Sequence, residues 1–170
     1  EKVYAERHIL CEFEIDANVR FRGDQGDLME LLGNLLENAF KWANHRVLLT
    51  ARMESTNAGG KGLHLSFEDD GPGIAADRVE HLLQRGVRGD ERVQGHGIGL
   101  SIVQDIVKAY SGSIQGSRSQ SLGGARFDLS STPSSTASAT GNNISVVAAL
   151  DIHILVAADA AIKPSTSLRA

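Results

Sequence analysis

Apolar residues recur at three- and four-residue spacing in "DLMELLGNLLENAFKWA" (27–43), which predicts a long amphipathic helix starting near Asp24 or Asp27. With Leu28 at zero and about 100° per residue, Leu28, Leu31, Leu32, Leu35, Leu36, Ala39 and Phe40 share an arc of about 180° that must pack on a sheet. "LSIVQDIVKAY" (100–110) predicts a second helix, with Ile102, Val103, Ile106, Val107 and Tyr110 on one stripe. Elsewhere the period is two. "ILCEFEI" (9–15), "RVLLTARM" (46–53), "LHLSFED" (63–69), "GSIQGSR" (112–118) and "ARFDLS" (125–130) read as strands, and "VRFRG" (19–23) as a short partner strand. The Gly-rich "ESTNAGGKG" joins 46–53 to 63–69 as a hairpin loop. Residues 75–94 are polar and Arg-rich, with a short helix expected around Arg78 to Leu83. A run of strands with interposed helices predicts an α/β sandwich: a mixed β-sheet with helices layered on one face.

The patterning stops near residue 130, and residues 1–130 read as one domain. "STPSSTASATGNN" (131–143) has no apolar period and reads as a Ser/Thr-rich linker or disorder. Residues 144–170 form an unassigned tail. Its apolar stretch (144–162) is interrupted by Asp151, His153 and Asp159, so it is a poor membrane helix, and an added strand or helix is one reading of it. No internal repeat is present.

Composition narrows the picture only slightly. A chain of 170 residues can bury roughly two thirds of its unfolded surface, enough for a core. A net charge of −4 argues against bulk nucleic-acid binding, which needs a basic face. The single cysteine, Cys11, excludes an internal disulfide framework and reads as a small apolar strand residue. No signal-peptide pattern and no run of about 18 uncharged apolar residues occurs, so no membrane contact is expected of this fragment.

Three short stretches carry candidate chemistry. On the first helix Asn34, Asn38 and Lys41 fall near 240°, 280° and 220°, about one narrow stripe beside the buried face. Asn competes with the helix backbone for hydrogen bonds, so two on one edge beside a lysine want a reason. A metal–polyphosphate is one: an amide oxygen is a hard ligand for Mg²⁺, and Lys41 is a point charge for a phosphate. A solvated helix edge has the same spacing. "DDGPGI" (69–74) puts Asp69, Gly71 and Gly73 at a strand end. A carboxylate only accepts hydrogen bonds, so a buried Asp69 favours adenine, whose exocyclic amino group donates, over guanine. An ordinary Asp-Gly turn reads the same way. "GHGIGL" (95–100) opens the second helix. It is neither a dinucleotide fingerprint nor a P-loop. Bare N–H groups at a helix start suit a phosphate, which side chains would hold away; a loop that merely precedes a helix is the plainer alternative.

The order of these stretches resembles the ATP-binding domain of sensor histidine kinases, the Bergerat fold shared with gyrase, the Hsp90 chaperones and MutL. "NLLENAFKWA" resembles the N box, "DDGPGI" the G1 box and "GHGIGL" the G2 box, and "HLLQRGVRGDER" stands where the F box and ATP lid belong. "KVY" near the start and "GGAR" near the last strand extend the likeness, which covers about Lys2 to Leu129. The resemblance implies that Asn38 coordinates Mg²⁺, with Asn34 and Lys41 at the phosphates. It implies that Asp69 binds the adenine amino group, that Gly71, Gly73 and Ile74 shape the pocket, and that Arg88 and Arg92 reach the polyphosphate from the lid. Gly95, His96, Gly97, Ile98, Gly99 and Leu100 would let the lid close over the phosphates.

The same resemblance implies a histidine protein kinase catalytic domain with ATP and Mg²⁺ as cofactors. Its partners would be a histidine-containing dimerisation domain and a response regulator receiver domain. Its place would be the cytoplasm, its parent anchored in the bacterial inner membrane. Departures are visible. Leu83 stands where a Phe is usual, and none of His8, His45, His64, His81, His96 or His153 has a His-Glu-rich helical context, so the acceptor lies outside this chain. The tail has no family counterpart. A hydrolytic ATPase of the gyrase kind would need a glutamate one turn before Asn38; Asn34 stands there, and Glu37 points about 100° away. A nucleotide-binding module without catalysis is the remaining alternative.

Overall fold

The computed structural model describes residues 9–56, 59–75, 78–79, 98–131, 142–150 and 164–166. Six strands form one sheet in the order β5-β6-β4-β3-β1-β8: β1 (Leu10–Ile15), β3 (Arg46–Ser55), β4 (Lys61–Asp69), β5 (Ser113–Arg118), β6 (Ala125–Ser130) and β8 (Pro164–Thr166). β1 runs parallel to β3 and β8, and the remaining pairs are antiparallel, so the sheet is mixed.

Alternation sets the two faces of this sheet. Phe13, Leu49, Phe67 and Phe127 stand in register across four strands, and all four are buried. One residue on, the row Glu12, Leu48, Glu68, Arg126 lies on the other face. The apolar face is covered by α1 (Gln25–Trp42) and α2 (Ile98–Ala109). The expected sandwich, with helices on one face, is therefore the observed one.

Asp24 is the N-cap of α1. It has an extended backbone, and its carboxylate accepts the Asp27 N–H at 3.1 Å. The buried stripe is Leu28, Leu31, Leu32, Leu35, Leu36 and Ala39, as the spacing predicts, with Phe40 packed partly buried at its edge. α2 begins at Ile98, two residues before the apolar run, and buries Leu100, Val103, Ile106 and Val107. Cys11 is fully buried in β1, where burial, helped by Glu12, pushes its thiol pKa up to about 12. It is an apolar filler at neutral pH.

The partner of β2 (Arg20–Gly23) comes from the far end of the chain. β7 (Asn142–Ser145) pairs with it antiparallel, and residues 146–150 continue as helix with Val146, Ala149 and Leu150 buried. Of the expected linker, Ser131 donates its N–H to the Leu63 carbonyl at 2.9 Å, and 142–143 already belong to β7. Residues 132–141 lie outside the described residues, as do 80–97, which hold Leu83 and most of the helix expected around Arg78 to Leu83. No helix among the described residues is long and apolar enough to cross a membrane.

Candidate functional site

Asp69 is the last residue of β4, and the alternation that turns Phe67 inward turns Asp69 inward too. It is 2% exposed. Its Oδ1 accepts the Gly71 N–H at 2.8 Å and the Ala125 N–H at 3.1 Å, and its carbonyl accepts the Gly124 N–H at 3.0 Å. Its Oδ2 accepts from none of the described residues. Burial pushes the carboxyl pKa up, the two N–H groups pull it back, and the neighbouring Asp70 pushes it further up. The result is a carboxylate with one oxygen held by two backbone N–H groups and, among the described residues, no donor on the other.

Asp70 does a different task. Its Oδ1 accepts the N–H groups of Asn44 at 2.8 Å, His45 at 3.0 Å and Arg46 at 3.0 Å, while the Asn44 amide donates to the Asp70 carbonyl at 2.8 Å. Burial works to raise the Asp70 pKa, but these backbone donors outweigh it and hold the carboxyl below its ordinary value. Asp70 thus ties the α1–β3 connection to the end of β4. The turn after it is tight. A Cβ on Gly71 would overlap the Trp42 carbonyl oxygen, and Gly73 has a φ of 78°, which a side chain would strain. The G1-like turn is therefore pressed onto the last turn of α1.

The polar stripe of α1 faces this region half-buried: Asn34, Asn38 and Lys41 are neither in the core nor fully in solvent. The Asn34 Nδ2 donates to the Glu30 carbonyl at 2.8 Å, and its Oδ1 is turned toward α2: a Cβ on Gly99 would stand 2.9 Å from it. Lys41 Nζ lies 5.8 Å from the centroid of the Trp42 ring. The first turn of α2 contains no acidic residue. The fold thus brings the N-box helix against both glycine motifs, at Gly99 through Asn34 and at Gly71 through Trp42.

Of the expected site residues, Asn34, Asn38, Lys41, Asp69, Gly71, Gly73, Gly99 and Leu100 are described. Ile74 packs partly buried against the core, and Ile98 opens α2. Arg88, Arg92, Gly95, His96 and Gly97 lie outside the described residues. Among the described residues no three His, Cys, Asp or Glu side chains converge to hold a metal by themselves. Asn38 is half-buried on α1, one turn beyond Asn34. Two clefts outlined by the described residues lie at the other end of β4, around Leu63, Gly112 and Ser131, and contain none of these groups.

Sequence reasoning missed a third support of Asp69, the β5–β6 loop Ser119 to Gly124. It is closed on itself: Ser119 N–H donates to the Gly124 carbonyl at 2.8 Å, Gly123 N–H to the Ser119 carbonyl at 3.0 Å, and Leu122 N–H to Ser119 Oγ at 2.9 Å. It is also pinned to the outer face of the sheet. The hydroxyls of Ser119 and Ser121 donate to Glu68 Oε2 at 2.6 and 2.5 Å, and Arg126 reaches Glu68 Oε1 at 3.4 Å. The one sequence signal was "GGAR", whose Gly124 and Ala125 carry the N–H groups that meet Asp69.

Residues 23–136 match the family described as histidine kinase-, DNA gyrase B-, and HSP90-like ATPase. The chain is 43% identical over 123 residues to the sensor protein kinase CarS of Pseudomonas aeruginosa, covering 72% of this chain and 26% of CarS. It is 36% identical over 128 residues to the sensor protein PhoQ of Escherichia coli O157:H7, covering 75% of this chain and 25% of PhoQ. It therefore spans about a quarter of the length of these relatives. Its fold is similar to that of the mycobacterial sensor histidine kinase MprB, with a TM-score of 0.58 at 23% identity over 79% of this chain and 84% of that one. The chain belongs to the histidine kinase-, DNA gyrase B- and HSP90-like ATPase family, as a catalytic ATP-binding domain of the sensor histidine kinase kind.

Proposed function

We propose that this domain binds ATP with Mg²⁺ and presents the γ-phosphoryl group to a histidine on a helical dimerisation domain outside this chain. The observation that carries the reading is Asp69: a buried carboxylate whose Oδ1 is held by two backbone N–H groups and whose Oδ2 is left to accept from a base that donates. Adenine offers that donor in its exocyclic amino group, and guanine offers an acceptor instead. Gly71 and Gly73 keep side chains out of the plane beneath the base. Asn34 and Asn38 line the α1 edge between the base and the start of α2, with Lys41 at the end of the helix. Asn38 would hold the Mg²⁺, which neutralises charge on the triphosphate. The N–H groups at Gly99 and Leu100 would receive phosphate oxygens, and Arg88 and Arg92 would supply lid charge.

Transfer needs little more than this alignment. The imidazole nitrogen attacks the γ-phosphorus, the bond to the β–γ bridging oxygen breaks, ADP leaves, and the phosphoimidazole releases its extra proton to solvent. The histidine is the nucleophile, so no general base is needed in the ATP site. Hydrolysis is disfavoured by the same residues. Asn34, where a water-activating glutamate would stand, is an amide already bonded to Glu30, and Glu37 is exposed on the outer side of α1. The receiver domain of a response regulator would then take the phosphoryl group, and the parent protein would be anchored in the bacterial inner membrane with this domain in the cytoplasm.

Calorimetric titration of ATP with Mg²⁺, repeated with GTP, tests the reading. Saturable heat with ATP alone and a flat baseline afterwards supports a kinase ATP site. Heat that continues after saturation means hydrolysis. Equal binding of GTP removes Asp69 as the base reader.

A further inference from the structure

Glu68 and Asp69 are consecutive on β4 and point to opposite faces, yet both hold the same six-residue loop. On the outer face Glu68 Oε2 takes the hydroxyls of Ser119 at 2.6 Å and Ser121 at 2.5 Å. On the inner face the loop's exit delivers the Gly124 N–H to the Asp69 carbonyl and the Ala125 N–H to Asp69 Oδ1. Glu68 itself is only 5% exposed, although alternation assigns it to the solvent side of the sheet; the loop is what covers it. A buried carboxylate is costly unless its oxygens are bonded; the serine hydroxyls meet Oε2 and Arg126 meets Oε1.

We propose that Glu68 is a positioning residue for base recognition: through Ser119 and Ser121 it sets the loop that leads into β6, whose first N–H, that of Ala125, fixes which Asp69 oxygen faces the ligand. The proposal rests on the reading of Asp69 as the acceptor for the adenine amino group. Without the serine bonds the loop is held at its exit only by the Gly124 N–H on the Asp69 carbonyl and by the start of β6, so the Ala125 N–H is less firmly set on Oδ1 and the Asp69 carboxylate gains freedom to turn about its side-chain bonds. The base contact then loses its direction while the phosphate end of the site, on α1 and α2, is untouched.

The test compares ATP with inosine triphosphate, which has a carbonyl in place of the amino group, for four chains: unaltered, Ser119→Ala/Ser121→Ala, Ser121→Thr and Asp69→Asn. Ser121 is exposed, so threonine keeps the hydroxyl without crowding. The serine double variant is expected to lose about tenfold in ATP affinity, the scale of one hydrogen bond to a charged group, and to lose most of its preference over inosine triphosphate. Ser121→Thr should retain both. Amide exchange at Ala125 should quicken in the double variant, and Ser121→Ala alone gives the same comparison if the double variant does not fold. A purely structural role would lower the melting temperature and leave the ATP-to-inosine-triphosphate ratio where it was, and that result overturns the proposal. If Asp69→Asn abolishes the preference and the serine variants keep it, the coupling fails while base reading by Asp69 stands. An unaltered chain with no preference overturns both.

Discussion

Asp69 sets a conflict between stability and binding within one side chain. Burial holds its pKa above the ordinary 3.8, so the native state binds this proton more tightly than the unfolded chain does. The stability linked to that proton is fully present below pH 3.8 and is lost as pH rises through the raised value. Asn can still accept both backbone N–H groups through Oδ1. Asp69→Asn should therefore be as stable as the unaltered chain at low pH and gain on it as pH rises, measured as the difference in melting temperature from pH 4 to 8. The same variant should bind ATP at least about tenfold more weakly, because its Nδ2 meets the adenine amino group donor to donor. A variant that loses both stability and binding together would mean that Asp69 is a structural residue. Asn38 makes the cleaner separation. It lies off the buried stripe of α1, and alanine is the better helix former. Asn38→Ala should leave the melting temperature unchanged or slightly higher and abolish the gain in ATP affinity that Mg²⁺ brings; an undiminished Mg²⁺ effect would remove Asn38 as the ligand.

At the scale of elements, α1 is fastened at both ends. Its C-terminal end is tied through Gly71 and Asp70. Its N-terminal end is tied to the residue after α2: Tyr110 donates its hydroxyl to Asp27 at 2.6 Å and accepts the Asp24 N–H at 3.0 Å, while its ring meets Phe21 edge-on at 4.9 Å. Burial, the bond to Asp27 and the nearby acidic charges push the phenol pKa up, so the bond is kept throughout neutral pH. Tyr110→Phe keeps the ring and removes the hydroxyl's bonds to Asp27 and to the Asp24 N–H. It should cost about 1–2 kcal/mol in denaturant unfolding with ATP affinity unchanged; a change in affinity would show that the two ends of α1 are coupled. Both helices and five strands of the main sheet were legible because their periods of 3.6 and 2 are set by one buried face each. The polar stripe of α1 was legible for the same reason, since it is what remains beside that face. The β5–β6 loop was not. Alternation alone places Glu68 in solvent, and only two serines far along the chain, Ser119 and Ser121, put it under cover. Asp70 was hidden similarly: "DD" does not reveal that one carboxylate is buried against Gly71 and Ala125 and the other caps three amides from Asn44, His45 and Arg46.

The whole molecule depends on a segment that lacks the patterning of the rest. β2 would be an unpaired edge without β7, and Val146, Ala149 and Leu150 fill space beside it; the Val146 N–H donates to the Val19 carbonyl at 3.4 Å. Burying a valine and a leucine contributes about 1.5–3 kcal/mol each, a large share of a small domain's stability. A four-residue strand inside a polar stretch gives too short a pattern to read, which is why its partner could not be found from the sequence. Val146→Asp places an unpaired charge at a fully buried position and should destabilise the chain by about 3 kcal/mol or more. Val146→Ala should cost less, through the cavity alone. The segment docks on β2, which leads into the start of α1, and Asp69 lies near the other end, ~27 Å along an 18-residue helix. Stability and nucleotide affinity should therefore separate: urea unfolding shifts in both variants, and the ATP dissociation constant of the folded chain stays where it was. Unfolding curves that coincide for the aspartate variant and the unaltered chain would mean that the tail does not occupy β2 in solution, and that this edge is open to another strand.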